Sequence, residues 1–132
     1  MPQTEVFFYQ DEKGHAPVVE WLEALRKRDA AAYANCVGAI QRLMAAGHEL
    51  RRPTADYLRD KVYELRARRG RVNYRILYFF HGRGASILAH ALTKKDQVPN
   101  ADIERAIQRR RLYEVNPKKH TYTEAIRGSK DR

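Results

Sequence analysis

The sequence has a single cysteine and no long apolar segment. Because Cys36 stands alone, an intramolecular disulfide and a cysteine zinc cluster are both excluded. No apolar run approaches the roughly 20 residues that a membrane-spanning helix needs. The first residues also lack the basic start and apolar stretch of a secretory signal. We therefore expect a protein of the reducing cytoplasm that has no membrane partner.

The sequence also has few local motifs of cofactor-binding enzymes. Its five histidines show no spacing typical of metal ligands. The segment Gly82-Arg83-Gly84 indicates a hairpin turn rather than a phosphate-binding glycine-rich loop. We expect neither a metal ion nor an organic cofactor.

Acidic residues are in the minority, and they are unevenly placed. The chain has 26 Lys and Arg against 16 Asp and Glu, a net charge of +10. The first 50 residues carry five basic and seven acidic side chains, whereas the remainder carry 21 and nine. The first part therefore indicates a scaffold, and the second a surface for a polyanion such as nucleic acid or an acidic protein. An anionic membrane surface fits least, because the basic residues do not line one amphipathic helix.

The 132 residues, 43% of them hydrophobic, predict one globular domain. Short β-branched and aromatic runs predict strands at 6–9, 62–66, 73–80 and 86–93. Apolar residues at helical spacing predict a helix that begins at Pro17, a second at about 30–46, and a third at about 101–113 capped by Asn100. Residues 48–60 are expected to form a loop.

This order predicts an α+β fold, β-α-α-β-β-β-α, in which an antiparallel sheet carries a two-helix hairpin on one face. The domain would span residues 1–113, and residues 114–132 would form a loosely ordered basic tail. The face opposite the hairpin would be open and would be the place for a site.

Side-chain alternation predicts which residues occupy that open face. Leu65 should meet the helices, whereas Glu64 and Arg66 should point away from them. Arg75 should lie near Arg66 across the hairpin, on the same face as Leu77 and Phe79. Lys94 and Lys95, at the end of the last strand, would converge on this pair. Four further basic residues would lie around the rim and could bind a nucleic acid: Lys61, Arg68, Arg69 and Arg71. The alternatives are solvated surface charges, or an ion pair of Arg75 with Glu64 in which Arg66 shares.

Four stretches in this order resemble the RelE/ParE toxin superfamily, and more closely its phage-derived HigB-like branch. They are Pro17-Val18-Val19-Glu20-Trp21-Leu22, Val62-Tyr63-Glu64-Leu65-Arg66, Tyr74-Arg75-Ile76-Leu77-Tyr78-Phe79-Phe80, and Thr93-Lys94-Lys95 followed by Pro99 and Ile103-Glu104-Arg105-Ala106. The resemblance implies the toxin of a bacterial type II toxin–antitoxin system. Its implied partners are an antitoxin with a helix-turn-helix domain, in a toxin–antitoxin hetero-oligomer, and mRNA on the ribosome.

The resemblance further implies a ribosome-dependent endoribonuclease in which, without a metal, the RNA 2′-hydroxyl attacks the adjacent phosphate. Arg75 and Arg66 match arginines of the superfamily's strand motifs, and Lys94 and Lys95 match the basic end of its last strand. Two features depart from RelE. Glu64 stands where RelE has a lysine, and the late tyrosine of RelE has only Tyr113 and Tyr122 as candidates by residue type.

In this reading Arg66 and Arg75 stabilise the charge that develops on the phosphate, and Lys94 and Lys95 orient the RNA backbone. The base could be Glu64 or a lysine whose pKa neighbouring cations lower. His90 could serve as that base or as a core residue, and Phe79 could stack on an RNA base. Two alternatives stay open: a non-enzymatic inhibitor of DNA gyrase, as in the ParE branch, and a non-catalytic RNA-binding module.

Overall fold

Five strands and four helices make up the part of the chain that the structure, a computed structural model, describes: residues 3–93 and 96–122. In chain order they are β1 (Glu5–Phe8), α1 (Pro17–Arg28), α2 (Ala30–Ala46), β2 (Ala55–Arg59), β3 (Val62–Arg69), β4 (Val72–His81), β5 (Ala85–Thr93), α3 (Asn100–Val115) and α4 (Pro117–His120). The predicted α+β class is confirmed. None of the helices within these two ranges is long and apolar enough to cross a membrane.

The strands form one mixed sheet in the order β1-β5-β4-β3-β2. Strands β3, β4 and β5 make the predicted antiparallel meander. The prediction of a wholly antiparallel sheet is wrong, because β1 pairs with β5 in parallel, Glu5 opposite Ala85. Parallel pairing joins segments that are distant in sequence and leaves no local signal such as a hairpin turn.

The predicted loop over residues 48–60 contains a strand, β2, at the edge of the sheet. Its sequence, Ala55-Asp56-Tyr57-Leu58-Arg59, lacks the apolar alternation that predicts a strand. Backbone pairing with β3 forms the strand and places Asp56 directly opposite Glu64. A second carboxylate therefore lies beside the residues that alternation had selected.

Helices α1 and α2 cover one face of the sheet, as predicted. Pro17 occupies the first turn of α1, and the Oδ1 of Asp29 accepts the backbone N–H of Ala32 to cap α2. Both helices bury apolar side chains against Leu65, Ile76, Tyr78 and Leu88 of the sheet. The buried residues of the two helices are Val18, Leu22, Leu25, Cys36, Ile40 and Leu43. Cys36 is buried among apolar side chains, and burial raises the pKa of its thiol to about 11.

Helix α3 covers much of the opposite face, which the sequence had predicted to be open. A second core forms there between α3 and the sheet: Tyr9, Val62, Leu77, Phe79, Ile87, Ala89, Leu92, Ala106, Ile107 and Tyr113. The helix begins at Asn100 itself, with Pro99 as its N-cap. The prediction of Asn100 as a side-chain cap is therefore wrong, and its Oδ1 instead accepts a hydrogen bond from Arg59. Only the part of this face next to the N-terminal end of α3 is left open for a site.

The chain after Tyr113 is folded over its first nine residues, where the sequence predicted a loose tail. Helix α3 continues to Val115, and the side chain of Asn116 accepts the N–H of Lys119 to cap α4. The buried ring of His120 stacks on Tyr9, and its Nδ1 lies 2.8 Å from the carbonyl oxygen of Gln10. These contacts span more than 100 residues of sequence, so the polar composition of the segment does not reveal them. The rest of the predicted tail lies outside the described residues.

We predict that His120→Ala lowers the free energy of unfolding by about 1–3 kcal/mol, because it removes a buried hydrogen bond and a stacked ring. Urea denaturation measures the loss. Lys118→Ala, in the same short helix but exposed, should change stability by less than about 0.5 kcal/mol. Equal stability of the His120 variant and the wild type would show that the docked segment contributes nothing to the fold.

Candidate functional site

A cleft of about 840 Å³ opens where α3 leaves the sheet uncovered. One wall comes from β2, β3 and β4, and the other from the segment that leads into α3. Ten residues line it: Arg52, Asp56, Leu58, Glu64, Arg66, Arg75, Asp96, Gln97, Val98 and Ile103. The cleft therefore combines three guanidinium groups with an apolar rim, on the face that the sequence selected for a site.

Glu64 lies at the base of the cleft and binds two arginines at once. Its Oε1 accepts a hydrogen bond from Nη1 of Arg75 at 2.5 Å, and its Oε2 accepts one from Nη2 of Arg66 at 2.7 Å. Nη2 of Arg75 donates to the carbonyl oxygen of Asp96 at 2.6 Å. Arg66 and Arg75 are direct cross-strand partners on β3 and β4, as alternation predicted. The structure thus contains the ion pair of Arg75 with Glu64, shared by Arg66, that the sequence analysis gave as an alternative.

Burial separates the roles of these three side chains. Glu64 has 4% of its side chain exposed, Arg75 has 12% and Arg66 has 34%. Both oxygens of Glu64 already accept hydrogen bonds from charged arginines. The buried carboxylate is therefore poorly placed to act as the predicted base for an incoming hydroxyl. Glu64 instead fixes the positions of two arginines, which in turn face the cleft.

Each arginine keeps one donor without a protein acceptor. The Nε atoms of Arg66 and Arg75 are buried and have no hydrogen-bond partner among residues 3–93 and 96–122. A buried N–H without an acceptor costs free energy, on the order of 1–3 kcal/mol. The two donors belong to residues that are direct cross-strand partners on β3 and β4.

A second, more exposed ion pair lies at the mouth of the cleft. Oδ2 of Asp56 accepts hydrogen bonds from Nε and Nη2 of Arg52, at 2.9 and 2.8 Å, and lies 3.4 Å from Nη2 of Arg66. The hydrogen bond from Arg52 lowers the pKa of Asp56, against the opposing effect of burial. Sequence reasoning missed both residues, because they lie in the segment that had been interpreted as a loop. The position of Asp56 opposite Glu64 follows only from the pairing of β2 with β3.

The other predicted basic residues do not gather at the cleft. Lys61 lies in the β2–β3 turn, and its backbone N–H donates to the hydroxyl of Tyr57. Arg69 pairs with Asp29 at the start of α2, with 2.9 Å between Nε and Oδ1. Arg68 and Arg71 lie at or beside the β3–β4 turn, at the far end of the hairpin from Lys61. Lys94 and Lys95, predicted as part of the site, lie outside the described residues.

The predicted aromatic contact with an RNA base is wrong for Phe79. Its side chain is fully buried in the core beneath α3, where its ring contacts Tyr113 edge to face. Alternation placed Phe79 on the correct face, but it could not reveal that α3 covers this part of the face. Tyr113 is also buried, and its hydroxyl pairs with Thr121. Tyr122 follows the docked α4, and its backbone N–H donates to the carbonyl oxygen of Phe8.

His90 links β5 to the first turn of α3 rather than facing the cleft. Its Nε2 lies 2.6 Å from Oδ1 of Asp102, and Nη1 of Arg109 lies 3.3 Å from its Nδ1. Burial lowers the pKa of His90, although the bond to Asp102 opposes this effect. Both ring nitrogens are engaged, which fits the structural role that the sequence left as one of two readings.

We predict that acid weakens the fold partly through His90. Because its pKa in the folded chain lies below the ordinary value of about 6.5, the unfolded chain takes up the proton first. The stability present above about pH 6.5 is then lost as the pH falls. Urea denaturation at pH 7.5 and pH 5.0 should show a smaller loss for His90→Gln than for the wild type. Equal losses in the two proteins would contradict this assignment.

Comparison with known families agrees with the ordered motifs. The family described as "Phage derived protein Gp49-like (DUF891)" matches residues 20–111, more than two thirds of the chain, including β2 to β5 and most of α3. A comparison with curated proteins gives no significant match. The matched region contains each residue of the Glu64, Arg66 and Arg75 cluster. The chain therefore belongs to the phage-derived Gp49-like family, within the RelE/HigB-like toxin superfamily.

Proposed function

We propose that the chain is the toxin of a type II toxin–antitoxin system of the HigB-like branch, and that it cleaves mRNA on the ribosome. The observation that carries this proposal is the pair of arginines, Arg66 and Arg75, that Glu64 holds side by side in an open cleft. Membership of the toxin superfamily supports the assignment to a toxin. The choice of RNA as substrate rests on the chemistry of the cleft.

The proposed reaction is an internal phosphoryl transfer within the RNA strand. The 2′-oxygen forms a bond to the adjacent phosphorus, and the bond from phosphorus to the 5′-oxygen of the next nucleotide breaks. The products are a 2′,3′-cyclic phosphate and a free 5′-hydroxyl. The 2′-hydroxyl gives its proton to a base, and the departing oxygen takes up a proton. The strand supplies its own nucleophile, so the protein has to position the strand and stabilise charge.

Arg66 and Arg75 stabilise the negative charge that develops on the pentacoordinate phosphate. A guanidinium matches two phosphate oxygens with a planar pair of donors. Donors that are already oriented need not reorganise during the reaction, which makes fixed arginines effective. Glu64 and the carbonyl oxygen of Asp96 provide that orientation for Arg75. With Glu64 engaged in this way, we assign the base to a lysine, with Lys94 and Lys95 as candidates that also orient the strand.

The proposed antitoxin covers the same cleft. The guanidinium groups of Arg52, Arg66 and Arg75 would bind carboxylates of an acidic or helical antitoxin segment. Charge complementarity would make this association fast. An antitoxin with a helix-turn-helix domain would then form a hetero-oligomer with this chain and exclude RNA from the arginines.

We predict that Arg75→Lys reduces mRNA cleavage at least about tenfold, because a lysine keeps the charge but lacks the planar pair of donors. Arg75→Ala is a poorer test, because it leaves the buried Glu64 with one cation fewer. The measurement is a short pulse of expression in bacteria, followed by primer-extension mapping of mRNA 5′ ends. The wild type should produce new cuts in phase with codons.

The matched control is Arg26→Lys, which changes an exposed arginine paired with Glu23 on α1 and should leave the cuts unchanged. Co-expression of the protein encoded by the neighbouring gene should abolish the cuts if that protein is the antitoxin. Growth arrest with intact mRNA and altered DNA supercoiling would instead support a gyrase inhibitor. Full cleavage by a folded Arg75→Lys protein would contradict the role given to Arg75.

A further inference from the structure

The carboxylate of Asp56 has the surroundings that an RNA phosphate would require. Its Oδ2 lies between two guanidinium groups, 2.8 Å from Nη2 of Arg52 and 3.4 Å from Nη2 of Arg66. Its Oδ1 accepts the backbone N–H of Tyr57 at 3.0 Å. An anionic oxygen shared by two arginines is also the usual contact of a phosphate group.

Exposure distinguishes this carboxylate from the one that supports the cleft. The Asp56 side chain is 25% exposed and that of Arg52 is 75% exposed, whereas Glu64 is 4% exposed. Removing Glu64 from its arginines would leave a buried charge without partners. An exposed pair such as Asp56–Arg52 is weak, because water competes for both charges and can solvate Asp56 once it separates. Asp56 can therefore leave its partners at little cost, and Glu64 cannot.

Protonation does not release Asp56 near neutral pH. Its pKa is lowered, mainly by the hydrogen bond from Arg52, so the side chain stays ionised. Another anion that competes for the arginines, rather than protonation, therefore displaces it. A polyanionic strand is suited to this exchange, because phosphates bound elsewhere along the cleft hold the competing phosphate close to Arg52.

We propose that Asp56 occupies the place of an RNA phosphate, and that Arg52 and Arg66 form a phosphate-binding subsite beside Arg75. This inference rests on the proposed function, since it assigns a second phosphate of the same single-stranded RNA to the same cleft. Arg52 is then an RNA-binding residue. Asp56 is a built-in competitor that weakens binding of strands too short to occupy both positions.

The test is the affinity of a fluorescent single-stranded RNA of eight nucleotides, 2′-O-methylated so that it cannot be cleaved, measured by anisotropy at low salt. Asp56→Asn keeps the acceptor for Tyr57 but loses the charge that holds the arginines. We expect it to bind the RNA about threefold more tightly than the wild type. Glu23→Gln removes the same charge from an exposed arginine pair on α1 and should leave the affinity nearly unchanged.

A second pair of variants distinguishes displacement of Asp56 by a phosphate from a nonspecific effect of net charge on RNA affinity. Arg52→Ala should weaken binding, and adding Asp56→Asn to it should restore less than half of the tightening seen when Arg52 is present. An equal gain in both backgrounds, or a gain matched by Glu23→Gln, would overturn the subsite. Absence of RNA binding by every variant would also overturn it. Cleavage by the wild type together with an unchanged affinity of Asp56→Asn would refute the subsite alone and leave the proposed function standing.

Discussion

The negative charge of Glu64 lies inside the sheet, and a charge in that position is tolerated only when it is fully paired. Arg66 approaches it along its own strand and Arg75 approaches from the neighbouring strand, so each carboxylate oxygen has one guanidinium partner. The cross-strand register of β3 and β4 is therefore tied to the geometry of the cleft. A shift by one residue would turn Glu64 and Arg66 together toward the helices and separate both from Arg75. The ion pairs of Glu64 with Arg66 and Arg75 offset the cost of burying its charge. They also hold the two guanidinium groups in fixed positions at the cleft.

Helices pack on both faces of the sheet, but only one face carries the cleft. One face is filled by α1 and α2, and α3 covers much of the other. The cleft lies between the charged part of β3 and β4 and the segment that leads into α3. Arg75 also contacts the carbonyl oxygen of Asp96 in the segment leading into α3, so the cover and the arginine pair hold each other in place.

Local patterns in the sequence were sufficient to predict most elements and the central arginine pair. Alternation placed Arg66 beside Arg75 and directed Leu65 toward the helices, because side-chain direction in a strand depends only on the pleat. It could not show that Phe79 is covered, since this depends on where α3 lies. It also missed β2, and with it Arg52 and Asp56, because the strand forms by pairing rather than by its own apolar pattern. The docking of His120 on Tyr9 was equally hidden, since partners 111 positions apart in sequence leave no local signal.

The central claim is that Glu64 and Arg75 stabilise each other as a pair, and a double-mutant cycle in urea tests it most directly. The cycle compares the unfolding free energies of the wild type, Glu64→Gln, Arg75→Gln and the double variant. Each single change removes one charge of a buried ion pair and leaves its partner with fewer hydrogen bonds, so the account predicts a coupling free energy of at least about 2 kcal/mol. Losses that add within about 0.5 kcal/mol would show that the two side chains act independently, and would contradict the account.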